Sequence, residues 1–181
     1  MSGAKLGSMV GAVGGLVFVM SNAGALSGPW PVVLRVLGVV AFAAVVALVL
    51  RARVVGKGVE PSPAQLRAYG LTVLAEVAAI VVGNRVLVAV FALPTATLPW
   101  VASVLGAHFL VFARIFQEPV FAWLGAAVTV CGIGGILLAV FSATPAAIGV
   151  VAGIVPGAVL LGAVGQSAWV GRPRPVALEV P

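Results

Sequence analysis

The sequence has little of what soluble or metal-binding proteins need. It contains no aspartate, only 8% charged residues, and a single cysteine and a single histidine, Cys131 and His108. One cysteine excludes a disulfide scaffold within the chain, and one cysteine with one histidine cannot form a typical zinc or di-haem site. Hydrophobic residues instead make up 62% of the chain, against about 45–50% in soluble domains. This composition excludes an ordinary soluble domain and a disordered chain. It predicts an integral membrane protein, for which we expect no metal and no cofactor.

Long apolar stretches occupy most of the 181 residues. A bilayer core about 30 Å thick requires roughly 20 apolar residues in a helix. Six stretches meet this requirement, at residues 6–26, 32–50, 68–92, 97–116, 119–141 and 146–170. They predict an all-α bundle of six transmembrane helices with short loops, in a single membrane domain covering 1–181. Residues 51–67 are expected to form a connector in which Ser62 caps a helix beginning near Pro63, and residues 171–181 a tail.

Basic residues accumulate on one side of the predicted spans. They are Lys5, Arg51, Arg53, Lys57, Arg67, Arg114, Arg172 and Arg174. The connections on the other side, around 27–31, 93–96 and 142–145, carry no charge. The positive-inside bias therefore predicts that both termini and the connector are cytoplasmic, in a multi-pass protein of the plasma membrane. Attraction to anionic lipid then explains the net charge of +6 without a nucleic-acid partner.

The four tryptophans agree with this topology. Trp30 and Trp100 fall near the outer ends of the predicted spans, and Trp123 and Trp169 near the inner ends. Tryptophan is enriched at both membrane–water boundaries, so we expect all four to belong to the aromatic belts.

Small residues recur at every fourth position in the first and sixth spans. The two series are Gly3, Gly7, Gly11 and Gly15, and Gly149, Gly153 and Gly157. Such ridges allow the backbones of two helices to approach closely in lipid. They predict either packing inside the monomer or contact with a second copy or a partner subunit. In the sixth span, Pro156 also predicts a kink.

Glu76 is the only acidic residue inside a predicted span. A charged side chain at that depth costs about 2.5–3.5 kcal/mol on insertion scales and usually faces a partner or a cavity. His108 lies in the next span at nearly the same depth, so a Glu76–His108 pair is geometrically allowed, as a proton relay or as a structural hydrogen bond. Helical periodicity places other polar and aromatic side chains on the same two faces. We predict a proton donor and acceptor pair, Glu76 and His108, with substrate contacts from Tyr69, Thr72, Asn84 and Phe112.

Two likenesses to known families point towards transport. Six spans in a chain of this size, with small residues every fourth position in the first, resemble the substrate-binding subunits of energy-coupling-factor transporters. The segment Leu74-Ala75-Glu76-Val77 looks like the glutamate-bearing first helix of small multidrug exporters, although here it lies in the third of six spans. These likenesses imply capture or proton-coupled transport of a small lipophilic or weakly polar molecule.

Two other functions stay open on the sequence. One is an intramembrane enzyme, an isomerase or an isoprenoid cyclase, in which Glu76 donates a proton to a lipophilic substrate. The other is a non-catalytic accessory subunit that packs against its partner through the glycine ridges.

Overall fold

A computed structural model describes residues 3–52 and 62–170 of the chain. It is 90% helical, it assigns no strand within these ranges, and six of its helices are long and apolar enough to cross a membrane. The predicted all-α bundle with six long apolar helices is therefore confirmed. Residues 53–61 of the predicted connector and the predicted tail lie outside the described residues, and with them Arg53, Lys57, Arg172 and Arg174.

The helices lie close to the predicted spans. They are α1 (Gly3–Asn22), α2 (Trp30–Arg51), α3 (Pro63–Ala89), α4 (Thr97–Phe116), α5 (Pro119–Val140), α6 (Pro145–Gly149) and α7 (Val155–Val170). Short 3₁₀ turns, Ala23–Ala25 and Pro94–Ala96, follow α1 and precede α4. A π-helical turn, Val150–Ile154, joins α6 to α7 in the sixth span. This turn lies directly before Pro156, whose ring removes a backbone donor, so the expected distortion takes the form of a π turn.

The third helix begins at Pro63, as predicted, and therefore starts five residues before the apolar span that begins at residue 68. The cause is a capping box, in which the Ser62 hydroxyl accepts from the Gln65 N–H at 3.2 Å. In return, the Gln65 side-chain oxygen accepts from the Ser62 N–H at 2.9 Å. Together these bonds satisfy two backbone donors that the first turn of a helix leaves unpaired, and Ser62 caps α3 as expected.

The two ends of the bundle differ in charge. The start of α1 meets the end of α2, where the Lys5 ammonium donates to the Leu50 carbonyl at 3.2 Å. The start of α3 likewise meets the end of α4. We call this end the basic end, because Lys5, Arg51, Arg67 and Arg114 lie near it. The connections at the opposite end, residues 23–29, 90–96 and 141–144, contain no charged residue of their own, and we call it the uncharged end; the Arg35 guanidinium of α2 reaches Gly24 there.

Glycines set the closest approaches between helices. A Cβ atom at Gly125 of α5 would lie 2.8 Å from the Gly106 carbonyl oxygen of α4, and one at Gly15 of α1 would lie 2.8 Å from the Gly157 carbonyl oxygen of α7. Most of the two predicted ridges therefore packs within the chain. Among the ridge glycines, Gly7 faces open space. Those that face a neighbouring segment of the chain are Gly11, Gly15, Gly149, Gly153 and Gly157.

The third helix lies at the edge of the bundle. It packs against α4 along one face, and none of its residues is fully buried. α4 in turn packs closely on α5, which contacts α7, and α7 contacts α1 and α2. Any site between α3 and α4 is therefore formed by these two helices, with α5 supporting α4 from behind.

Candidate functional site

Three polar contacts join α3 to α4 along their length. Near the basic end, the Gln65 amide of α3 donates to the Ile115 carbonyl of α4 at 2.9 Å. In the middle, Glu76 meets His108, and further towards the uncharged end the Trp100 indole N–H donates to the Ala79 carbonyl at 2.9 Å. Because α3 has no other extensive helix contact, these contacts determine how it lies on α4.

The structure brings Glu76 and His108 into direct contact. The Nδ1 atom of His108 lies 2.8 Å from Oε2 of Glu76, and the two side chains are only 9% and 16% exposed, respectively. It is the one ion pair within 4 Å among the residues that the structure describes. The carboxylate oxygen lies off the line of the ring N–H bond, so the contact is a close approach of donor and acceptor rather than an aligned hydrogen bond. Imidazole and carboxyl groups both exchange protons, so such a pair is able to share one proton between two side chains.

Aromatic rings continue from this pair towards the basic end. The His108 and Phe112 rings have centroids 3.9 Å apart, and Tyr69 stacks on Phe112 at 5.2 Å. Phe112 in turn contacts two further rings, one from the end of α4 and one from α5. We call the connected set the aromatic cluster, which consists of Tyr69, Phe109, Phe112, Phe116 and Phe121. It forms an apolar wall beside the Glu76–His108 pair.

Sequence reasoning placed two rings of this cluster and missed three. Tyr69 and Phe112 were predicted as substrate contacts, and both lie in the cluster. The spacing of Phe109, Phe112 and Phe116 is that of one helical face, so periodicity could have grouped them. Phe121 could not be found this way, because it belongs to α5 and joins the cluster only through the turn after α4.

Neither of the two remaining predicted contacts, Thr72 and Asn84, forms a hydrogen bond with Glu76 or His108. The Thr72 hydroxyl donates to the Ala68 carbonyl of its own helix at 2.8 Å, which uses its only hydrogen. Asn84 lies eight residues beyond Glu76, about 12 Å along the helix. Its Oδ1 atom is buried and has no hydrogen-bond partner.

Trp100 makes a contact that the sequence did not predict. Its indole is half-buried between α3 and α4. The ring occupies the space where Gly83 has no side chain, and a Cβ atom there would overlap Nε1 and Cε2 of Trp100. Gly83 shares the helical face of Glu76, which is the sequence signal that could have suggested a large neighbour at this point.

The fit between Gly83 and Trp100 is testable by substitution. We expect Gly83→Ala to lower the free energy of unfolding in detergent by about 1–3 kcal/mol, because the added methyl group displaces the indole. Gly70→Ala in the same helix is the matched control, since no atom lies within 4 Å of the added methyl group. The control is expected to be neutral or to stabilise by up to about 1 kcal/mol. Equal effects of the two substitutions would contradict the fit.

Among the described residues, no metal site lies beside or apart from this pair. Within the described ranges, no three His, Cys, Asp or Glu residues lie close enough together to hold a metal ion. Comparison with protein-family models, with curated proteins and with solved structures gave no match. The class that the fold defines is a bundle of six helices long and apolar enough to cross a membrane, with a carboxylate–imidazole pair between α3 and α4.

Proposed function

We propose that this chain is a membrane protein that captures or transports a small lipophilic or weakly polar molecule at the Glu76–His108 pair, coupled to the movement of a proton. The 2.8 Å contact between these side chains, in the middle of two bilayer-length helices, supports the proposal. An intramembrane carboxyl is costly to insert, and it is retained where a ligand, an ion or a proton uses it.

The chemistry of the pair and its surroundings suggests how it would act. Glu76 holds a proton, alone or shared with His108, and releases it when a ligand takes the place of the imidazole beside the carboxylate. The aromatic cluster supplies an apolar surface for the rest of the ligand. The basic end supports an orientation with both termini in the cytoplasm and the uncharged end outside, in the plasma membrane.

Native mass spectrometry of the protein released in detergent tests this proposal. We expect the wild-type protein to retain a small molecule and Glu76→Gln to lose at least nine tenths of it, because the amide can neither ionise nor release a proton. Glu118→Gln is the matched control, since Glu118 is an exposed glutamate before α5 and lies outside the pair. Equal retention by Glu76→Gln and the wild-type protein would contradict a ligand site at Glu76.

The aromatic cluster favours a second candidate, an intramembrane enzyme in which Glu76 donates a proton to a lipophilic substrate such as an isoprenoid. Aromatic walls stabilise positive charge that develops after protonation. The same spectra distinguish the two functions. If the retained molecule is released with its structure unchanged, the result supports capture or transport. If a product of altered structure forms without a proton gradient, the result supports the enzyme.

A third candidate is an accessory subunit that binds a second copy or a partner through its glycine ridges. Its support is limited to Gly7, which faces open space. The ridge glycines that already pack against segments of the same chain are Gly11, Gly15, Gly149, Gly153 and Gly157.

A further inference from the structure

Two aromatic contacts flank the Glu76–His108 pair at equal distances. Tyr69 precedes Glu76 by seven residues and Gly83 follows it by seven, so both lie about two helical turns, or 10.5 Å, from Glu76 on the same face of α3. Towards the basic end, Tyr69 stacks on Phe112. Towards the uncharged end, Trp100 covers Gly83. The pair is therefore enclosed at both ends of the contact between α3 and α4.

The two enclosing contacts differ in how firmly they are held. Phe112 also contacts His108 and further rings of the aromatic cluster, so moving it disturbs several contacts at once. Trp100 contacts no other ring within the described part of the chain, and one hydrogen bond ties its indole to the Ala79 carbonyl. That carbonyl lies inside α3, where the backbone N–H of Gly83 is its regular helical donor. Releasing the indole therefore leaves no backbone acceptor without a donor.

Another acceptor on α3 lies one residue beyond Gly83. Asn84 directly follows Gly83, and its Oδ1 atom is buried without any hydrogen-bond partner. A buried acceptor without a donor is unfavourable, so an arrangement that pairs it gains a hydrogen bond. The Trp100 N–H thus has one acceptor in this structure, and an acceptor without a donor follows directly after the glycine that the indole covers.

We propose that Trp100 is the gate between the Glu76–His108 pair and the uncharged end. In the closed arrangement seen here, the indole N–H donates to Ala79 and the ring covers Gly83. In the open arrangement, the N–H donates to Asn84 Oδ1, the ring leaves Gly83, and a path for water opens between α3 and α4 from the uncharged end to Glu76. The identity of what passes this gate, a proton or a ligand, depends on the proposed function. The movement of the Trp100 ring does not depend on it.

Cysteine accessibility measures the gate directly. Cys131→Ala removes the only thiol, and Ile80→Cys then places one on the Glu76 face, between Glu76 and Gly83. The rate of labelling by a membrane-impermeant maleimide is measured in proteoliposomes. We expect Trp100→Ala to raise this rate at least tenfold, and Trp100→Phe, which keeps a ring without the N–H, to raise it less. A thiol at Val77, on the side of α3 that faces away from α4 and towards lipid, is the control that stays unlabelled in all variants.

Asn84→Ala separates gating from a general loosening of α3. The gate predicts that this substitution lowers the labelling rate of the Ile80→Cys protein at least threefold, because the open arrangement loses its acceptor. An increase would indicate loosening and would overturn the proposal. Unchanged labelling in Trp100→Ala would overturn it as well. Labelling requires no ligand, so this test is independent of the mass spectrometry. If Glu76→Gln retains its ligand, the proposed function fails, but the expected labelling rates would still support the gate.

Discussion

We expect His108→Leu to lower the free energy of unfolding in detergent by about 3–5 kcal/mol, among the largest effects of any single substitution in this chain. The substitution leaves the Glu76 carboxylate largely buried without its partner, and breaking one side of a buried ion pair typically has that cost. Chemical denaturation in mixed micelles, followed by circular dichroism, measures the effect.

A double substitution shows how much of that loss belongs to the pair itself. Replacing Glu76 by leucine together with His108→Leu removes both polar groups, and apolar replacements of a buried pair are often close to neutral. We therefore expect the double variant to recover most of the lost stability. If it instead loses the sum of the two single effects, the side chains are energetically independent, and a shared proton between them is excluded.

The second large effect is expected at Gly132, where α5 crosses α4. A Cβ atom at this position would overlap the backbone of Ser103, which has no freedom to turn away as a flexible side chain would. We expect Gly132→Ala to destabilise the protein by about 2–3 kcal/mol and to separate α4 from α5. The thermal unfolding midpoint and the folded yield in detergent measure this.

Gly162→Ala in α7 is the matched control for Gly132→Ala. No atom lies within 4 Å of the added methyl group, and alanine is favoured over glycine in a helix by up to about 1 kcal/mol. A neutral or stabilising control beside a destabilised Gly132→Ala locates the effect in the contact between α4 and α5. Similar behaviour of the two variants would contradict the close packing of these helices.

The candidate site illustrates how far helical periodicity reaches. Counting residues from the ends of two adjacent spans placed Glu76 and His108 at nearly equal depth, because the helical rise is constant. Whether the side chains meet depends also on how each helix is rotated about its axis, which no count along one helix determines. The structure supplies that rotation, and it brings His108 to Glu76 while leaving Asn84 without a partner.

The sequence by itself determined the number, lengths and ends of the helices. Apolar length and local caps such as Ser62 with Gln65 act within a few residues of one another, so they can be read along the chain. Only the tertiary structure decided which residues meet between helices. Trp100 fills the space over Gly83, a contact that its position near the end of a span did not reveal, because a bulky ring turns towards whichever neighbouring helix leaves room for it. That room is a property of two helices together, and it exists only once they have packed.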